Sequence, residues 1–208
     1  MLYKKHQIIL RPEDVPPGVL YLHKGFVRYY SISESGQELT LIIFKPGDFF
    51  PVMTAINDTP TYRYFEAMTD VEIGKVSKED FIQFLRSHSE VEFEVLNNIL
   101  TRLDGLLERV DYLVFGNAYQ KIASIFAICA ERFGVKKGNS VLIKLGLTHR
   151  DIACLVGLTR ETTSVEIKKL ERADLIKRQG NFFVIKDLKN LEKVANWESS
   201  ISSTQLAF

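Results

Sequence analysis

Cysteine is scarce in this sequence: Cys129 and Cys154 are the only two among 208 residues. Two thiols do not build a disulfide framework, and a reducing cytoplasm is the expected setting. They also fall short of the four cysteine ligands that an iron–sulfur cluster requires. No apolar run approaches the roughly 18 residues of a membrane-spanning helix, and only a short one precedes Arg11, too short for a secretory signal. A glycine-rich phosphate loop, an HExxH pair and a GxSxG elbow are all missing. The acids scatter without a recurring pair, so an enzyme is not expected. Low-complexity tracts and solenoid repeats are absent as well.

Apolar side chains are plentiful at 46%, which supports packed cores and excludes a disordered chain. The net charge of +1 hides a contrast. Residues 1–115 carry 12 Lys/Arg against 17 Asp/Glu, a balance of −5, whereas residues 116–208 carry 15 against 9, a balance of +6. A basic second half suits a polyanionic partner.

Short β-rich runs at 7–10, 19–23, 26–32, 39–44, 65–68 and 71–76 alternate with turn chemistry. Gly25, Gly36 and Gly47 recur every eleven residues, a beat that predicts a rolled antiparallel sheet. Ser77 followed by Glu79 and Asp80 predicts a capped helix to about Arg86. Beyond Glu90 the pattern becomes heptad-like. Leu96, Leu103 and Val110 lie seven apart, and Ile99, Leu106 and Leu113 follow each by three. Alternating steps of three and four make a coiled-coil seam, and charged flanks favour an intermolecular seam over a helix packed inside one domain. Gly105 weakens this helix by roughly 1 kcal/mol against Ala. Asn117 caps a further helix, 118–133, ended by Gly134; Lys136-Lys137-Gly138-Asn139 reads as a turn and 141–144 as a strand.

Residues 147–176 are the most informative. Thr148 with Asp151 starts a short helix whose buried face is Ile152, Leu155 and Val156. Gly157 opens a tight turn, and Thr159 caps a second helix from Arg160 to about Arg172. Arg160, Glu161, Ser164, Val165 and Lys168 form a stripe opposite the apolar side of Ile167 and Leu170. Such a helix fits the major groove, where Arg reads guanine, Glu accepts from cytosine, Ser meets several edges and Val meets a thymine methyl. Base reading is therefore assigned to Arg160, Glu161, Ser164 and Val165, and phosphate contacts to Thr148, His149, Arg150, Thr159, Thr162, Lys168 and Lys169. Two β runs around Gln179-Gly180-Asn181 read as a hairpin wing. The alternative is an ordinary helical hairpin with charges on its surface.

Phe26-Val27-Arg28, Gly36, Lys45-Pro46-Gly47-Asp48-Phe49-Phe50, the leucine heptads and Leu158-Thr159-Arg160-Glu161-Thr162, in that order, resemble the cyclic-AMP receptor protein/FNR family of bacterial regulators. The resemblance covers nearly the whole chain. It implies an α+β fold: an N-terminal antiparallel β-roll (a cupin-like jelly roll), a long dimerisation helix and a C-terminal winged helix-turn-helix. The corresponding boundaries are 1–88, 89–115, 116–196 and a flexible tail at 197–208. It also implies a homodimer on a pseudo-palindromic operator, switched by an effector in the β-roll, with RNA polymerase as a further partner. Arg160 and Glu161 match base-reading positions of the cyclic-AMP branch, and Glu161 and Ser164 those of the FNR branch. Val165 departs from both, where Arg is usual.

The sensor departs further. The resemblance implies Gly-Glu for the ribose where this chain has Pro51-Val52, and Arg-Ser or Arg-Thr for the phosphate approximately where it has Thr61-Tyr62, with Arg63 close by but one position displaced. Cyclic AMP is therefore not the expected effector. Haem would need an axial ligand such as His6, His23 or His88, and a lone histidine is more often structural. Tyr62, Arg63 and Tyr64 are the candidate effector-binding residues, with plain β-roll core as the alternative. A regulator without an effector, or a winged-helix scaffold binding protein, are the competing functions.

Overall fold

The computed structural model describes residues 1–195, so the tail expected at 197–208 lies outside the described residues. Contacts divide the chain into two compact units, Met1–Leu107 and Glu108–Phe208.

The first unit begins with β1 (Leu2–Tyr3), β2 (Ile8–Leu10), β3 (Val19–Lys24), β4 (Val27–Ile32), β5 (Glu38–Phe44) and β6 (Phe49–Phe50). It continues through α1 (Val52–Asn57), β7 (Tyr64–Ala67), β8 (Val71–Val76) and α2 (Lys78–Ser87) into α3 (Ser89–Phe115), which ends in the second unit. Two four-stranded antiparallel sheets form, in the orders β1-β8-β3-β6 and β2-β7-β4-β5. Their strands alternate as a two-residue period demands: Val71 and Ile73 are buried while Glu72 between them is exposed. Leu20, Leu22, Val27, Phe44, Phe50, Phe65 and Ile73 share one core. Phe50 is fully buried and stacks on Phe44 at 4.9 Å and on Phe65 at 5.4 Å. The eleven-residue glycine beat marks turns, with φ of 88° at Gly25, 78° at Gly36 and 96° at Gly47. The β-roll expected from that beat is the fold observed.

The second unit holds α4 (Ala118–Phe133), β9 (Gly134–Lys137), β10 (Ser140–Ile143), α5 (His149–Val156), α6 (Arg160–Arg172), β11 (Ile176–Gln179), β12 (Phe182–Ile185) and α7 (Leu188–Val194). Its sheet runs β11-β12-β10-β9. Asn117 and Gln120 form a reciprocal capping box that starts α4. Ile122, Phe126, Ile152, Ile167, Leu170 and Phe183 are buried, and Phe126 meets Phe183 edge-on at 4.9 Å.

Several local readings need correction. Lys136 and Lys137 belong to β9, paired with Val141 and Ser140, so the turn is only Gly138-Asn139. The apolar strand Val141-Leu142-Ile143 recruits them across the ladder, although their own composition signals a turn. Gly134 does end α4, but at an extended φ of −84° rather than a left-handed one. Its reason is space: a Cβ there would lie 1.9 Å from the Ala130 carbonyl oxygen. Elements β1, β6, α1 and α7, none longer than seven residues, had no readable period.

Gly105 and Gly134 therefore respond oppositely to the same substitution. A Cβ at Gly105 meets nothing within 4 Å in the middle of α3. Gly105→Ala is expected to stabilise by about 0.5–1 kcal/mol through helix propensity. Gly134→Ala is expected to destabilise by about 1–3 kcal/mol through overpacking. Chemical denaturation of both variants, followed by circular dichroism, gives the two signs.

Candidate nucleic-acid interface

Thr148 opens α5 by accepting from the Asp151 amide at 3.1 Å, while Asp151 accepts from the Thr148 amide at 2.8 Å. Gly157, at φ 66°, closes α5. Thr159 then caps α6 by accepting from the Thr162 amide at 3.1 Å. These signals were all legible in the sequence, and together they fix where α6 begins.

Thr163, Ile167 and Leu170 bury one side of α6 completely or nearly so. The opposite side leaves Arg160, Glu161, Val165 and Lys168 exposed, with Ser164 half-buried between them. The structure thus brings the proposed base-reading residues together on the first two turns of one helix. Arg150 and Thr148 are exposed near the start of α5. Several of the residues assigned to phosphates, Thr148, His149, Thr159, Thr162 and Lys169 among them, have partners within the fold. Lys169 Nζ donates to Glu166 Oε1 at 2.8 Å, and the Thr162 hydroxyl bonds that of Thr159 at 2.9 Å.

His149 was read as a phosphate contact, but its Nδ1 faces the Ser164 hydroxyl at 2.8 Å. Its ring lies 6.5 Å from that of Phe183 on β12, and the Arg178 guanidinium sits 5.6 Å above the same Phe183. Arg178, exposed on the wing, received no role from the sequence. A hairpin carries no periodic cue that aims one of its cations toward a neighbouring helix.

The seam residues lie on the exposed side of α3. Leu96, Ile99, Leu103, Leu106 and Val110 are each 42–51% exposed, and Leu113 is half-buried. A further row went unnoticed: Phe93, Leu100, Leu107 and Val114 also lie seven apart, at 54–68% exposure. The sequence pattern contained it, hidden by the choice of one seam. Arg102 on α3 donates to buried Asp48 of the β-roll. Seven residues on, buried Arg109 donates to the Leu155 carbonyl in the last turn of α5. Burial pushes the neighbouring Tyr112 phenol up to about 12 and the Cys129 thiol likewise to about 12, which leaves that thiol protonated and inert.

The β-roll does not offer the groups a cyclic nucleotide needs. Val52 stands at the start of α1, where a ribose-binding carboxylate would be needed. Thr61, fully buried in place of the phosphate-binding Arg, turns its hydroxyl onto the Arg63 carbonyl at 3.1 Å. Arg63 donates to the Tyr29 hydroxyl at 3.1 Å, Tyr64 stacks on Tyr30, and Tyr62 is 73% exposed. Arg28 is held between Glu38 at 2.6 Å and Glu66 at 2.7 Å. These residues do not fit a cyclic nucleotide. An apolar groove of about 330 Å³ lies elsewhere in the same unit, lined by Tyr21, Phe49, Phe81, Phe84 and Val95 among others. His23 also borders it, packed edge-on against Tyr21. Among the described residues no cluster of three or more His, Cys, Asp or Glu is placed to hold a metal ion.

The pKa of His149 lies below its ordinary 6.5, first through burial and then through Arg178, Arg160 and Lys168, with Glu171 opposing. The folded state therefore binds this proton less tightly than the unfolded chain does. Its contribution to stability is intact above pH 6.5 and is lost as pH falls through that value toward the depressed folded pKa. His149→Gln is expected to show a smaller acid-induced drop in melting midpoint than the wild type, measured by calorimetry across that range.

Comparison with known proteins agrees with this architecture. Residues 1–88 match the cyclic nucleotide-binding domain, and residues 120–194 match the Crp-like helix-turn-helix domain. A global nitrogen regulator of Synechocystis sp. is 24% identical over 176 residues, covering 84% of this chain and 78% of its own. A CRP-like cAMP-activated global transcriptional regulator of Mycobacterium tuberculosis is 24% identical over 184 residues, covering 88% and 82%. Among solved structures, a CooA mutant from Carboxydothermus hydrogenoformans superposes with a TM-score of 0.79 at 26% identity, over 94% of this chain and 86% of that one. With a β-roll in front, a long helix behind it and a winged reading helix at the end, the chain belongs to the CRP/FNR family of transcription regulators.

Proposed function

We propose that this regulator acts as a homodimer on a pseudo-palindromic DNA site, with two copies of α6 in successive major grooves. The observation that carries the reading is the exposed polar stripe of Arg160, Glu161, Ser164 and Val165 at the start of a helix whose other side is buried. Arg160 donates to guanine O6 and N7, Glu161 accepts from a cytosine amino group, and Val165 lies against a thymine methyl. Thr148, Arg150, Lys168 and the wing cation Arg178 hold phosphates. The half-site shares the TGA character of the family.

The exposed leucine stripe of α3 supports pairing with a second copy, since a 27-residue helix does not leave so much apolar surface in water without a partner. Pairing along α3 sets the distance between reading helices, which must be about 34–36 Å to fit one turn of DNA. An effector bound in the β-roll that favours the competent spacing raises DNA affinity by shifting that population. The misfit of the β-roll to a cyclic nucleotide points to an effector of another chemistry, or to regulation without one. The cytoplasm is the compartment this activity requires.

Selection of bound sites from random duplex DNA tests the reading directly. An enriched palindromic motif is expected, with affinity falling steeply as salt rises. Arg160→Ala or Glu161→Ala is expected to cost about 1–3 kcal/mol and relax one base position per half-site. Leu103→Glu places a charge at the centre of the seam; light scattering is expected to find monomers with weakened binding to the palindrome. A wild type that binds no duplex even in low salt leaves the protein-scaffold reading in its place.

A further inference from the structure

The face that reads bases contains one hydroxyl, and that hydroxyl is not free to choose its role. Ser164 Oγ lies 2.8 Å from the Arg160 carbonyl oxygen, one turn back on α6, and 2.8 Å from His149 Nδ1 on α5. A serine hydroxyl has one proton and two lone pairs. If His149 carries a proton on Nδ1, whether neutral or charged, it donates to Ser164, and Ser164 sends its own proton to the Arg160 carbonyl. If His149 is the other neutral tautomer, Ser164 donates to Nδ1 instead. In each case the serine proton points into the protein, and a lone pair is what remains for DNA.

We propose that His149 is a positioning residue that makes Ser164 an acceptor-only reader, so that α6 selects a base with an amino group, adenine or cytosine, at the Ser164 position. The inference rests on the DNA-reading function proposed above. Adenine N6 and cytosine N4 present donors in the major groove, while guanine O6 and N7 and thymine O4 present acceptors that an acceptor-only hydroxyl repels. Serine by itself meets either kind of edge, so the discrimination is supplied from a neighbouring helix. The wing borders this pair, because the His149 ring lies 6.5 Å from that of Phe183 on β12. The charged groups facing the ring are Arg178 from the wing and Arg160, Lys168 and Glu171 from α6. The three cations draw DNA phosphate toward the same corner.

The alternative role for His149 is a simple phosphate contact, and the two roles give different signatures. Site selection from random duplex DNA with wild type, S164A, H149A and H149N separates them. In the wild type, a preference on the order of tenfold for adenine or cytosine is expected at one position in each half-site. S164A and H149A are both expected to lose preference at that same position and keep it elsewhere, with the salt slope of H149A unchanged. H149N, whose amide can reach the hydroxyl from a similar place, is expected to restore the preference. The inference is overturned if H149A weakens all sequences alike and lowers the salt slope by about one, the mark of a lost phosphate contact. It is equally overturned if H149A selects the wild-type motif unchanged, if the Ser164 position favours guanine or thymine, or if H149N behaves as H149A. A wild type that selects no motif at all fails the proposed function rather than this inference.

Discussion

Helix α3 poses the physical problem around which the rest of this chain is arranged. Along its 27 residues, ten apolar side chains stand about half exposed or more, from Phe93 to Phe115. Such a surface is costly in water, since each fully buried large aliphatic or aromatic side chain is worth roughly 1.5–3 kcal/mol. The stripe is also wider than a two-helix seam. Beside the two heptad rows runs a third, Phe93, Leu100, Leu107 and Val114. A helix with three apolar rows per heptad resembles a core helix of a globular protein more than a bare coiled coil. The proposed pairing through the two central rows would leave the third row to be covered by more than a facing helix.

Two arginines fasten this rod to what it serves. Arg102 holds Asp48, at the tight turn that follows Gly47 in the β-roll. Arg109 holds a carbonyl in the last turn of α5, the helix that precedes the reader. Each guanidinium donates to a buried acceptor, so each attachment is directional.

At the proposed DNA-reading end, the exposed side chains of α6 differ in how far the rest of the fold constrains them. Arg160, Glu161 and Val165 project from α6 without side-chain partners that would define their role further, and their chemistry is that of the residue type. Ser164 differs, because its hydroxyl faces His149 Nδ1 of α5, whose ring lies 6.5 Å from that of Phe183 on the wing. The same corner gathers Arg178, Arg160 and Lys168, which add to burial in holding the His149 pKa down. A neutral imidazole is the form best suited to sit among them.

The sequence determined by itself the elements with long periods or strong punctuation. The heptads fixed α3, the Thr148, Gly157 and Thr159 signals fixed the boundaries of α5 and α6, and the eleven-residue glycine beat fixed the class of the first unit. These are local rules, in which a residue's neighbours in the chain are also its neighbours in space. Tertiary structure alone decided that Lys136 and Lys137 are strand, because the ladder to Ser140 and Val141 outweighs their turn-like composition. It alone decided that Gly134 is required for room beside the Ala130 carbonyl rather than for a positive φ. It alone placed His149 Nδ1 against the hydroxyl of Ser164, fifteen residues away. A side chain's hydrogen-bond partner across a helix crossing depends on how two helices pack, and no spacing along the chain encodes that angle.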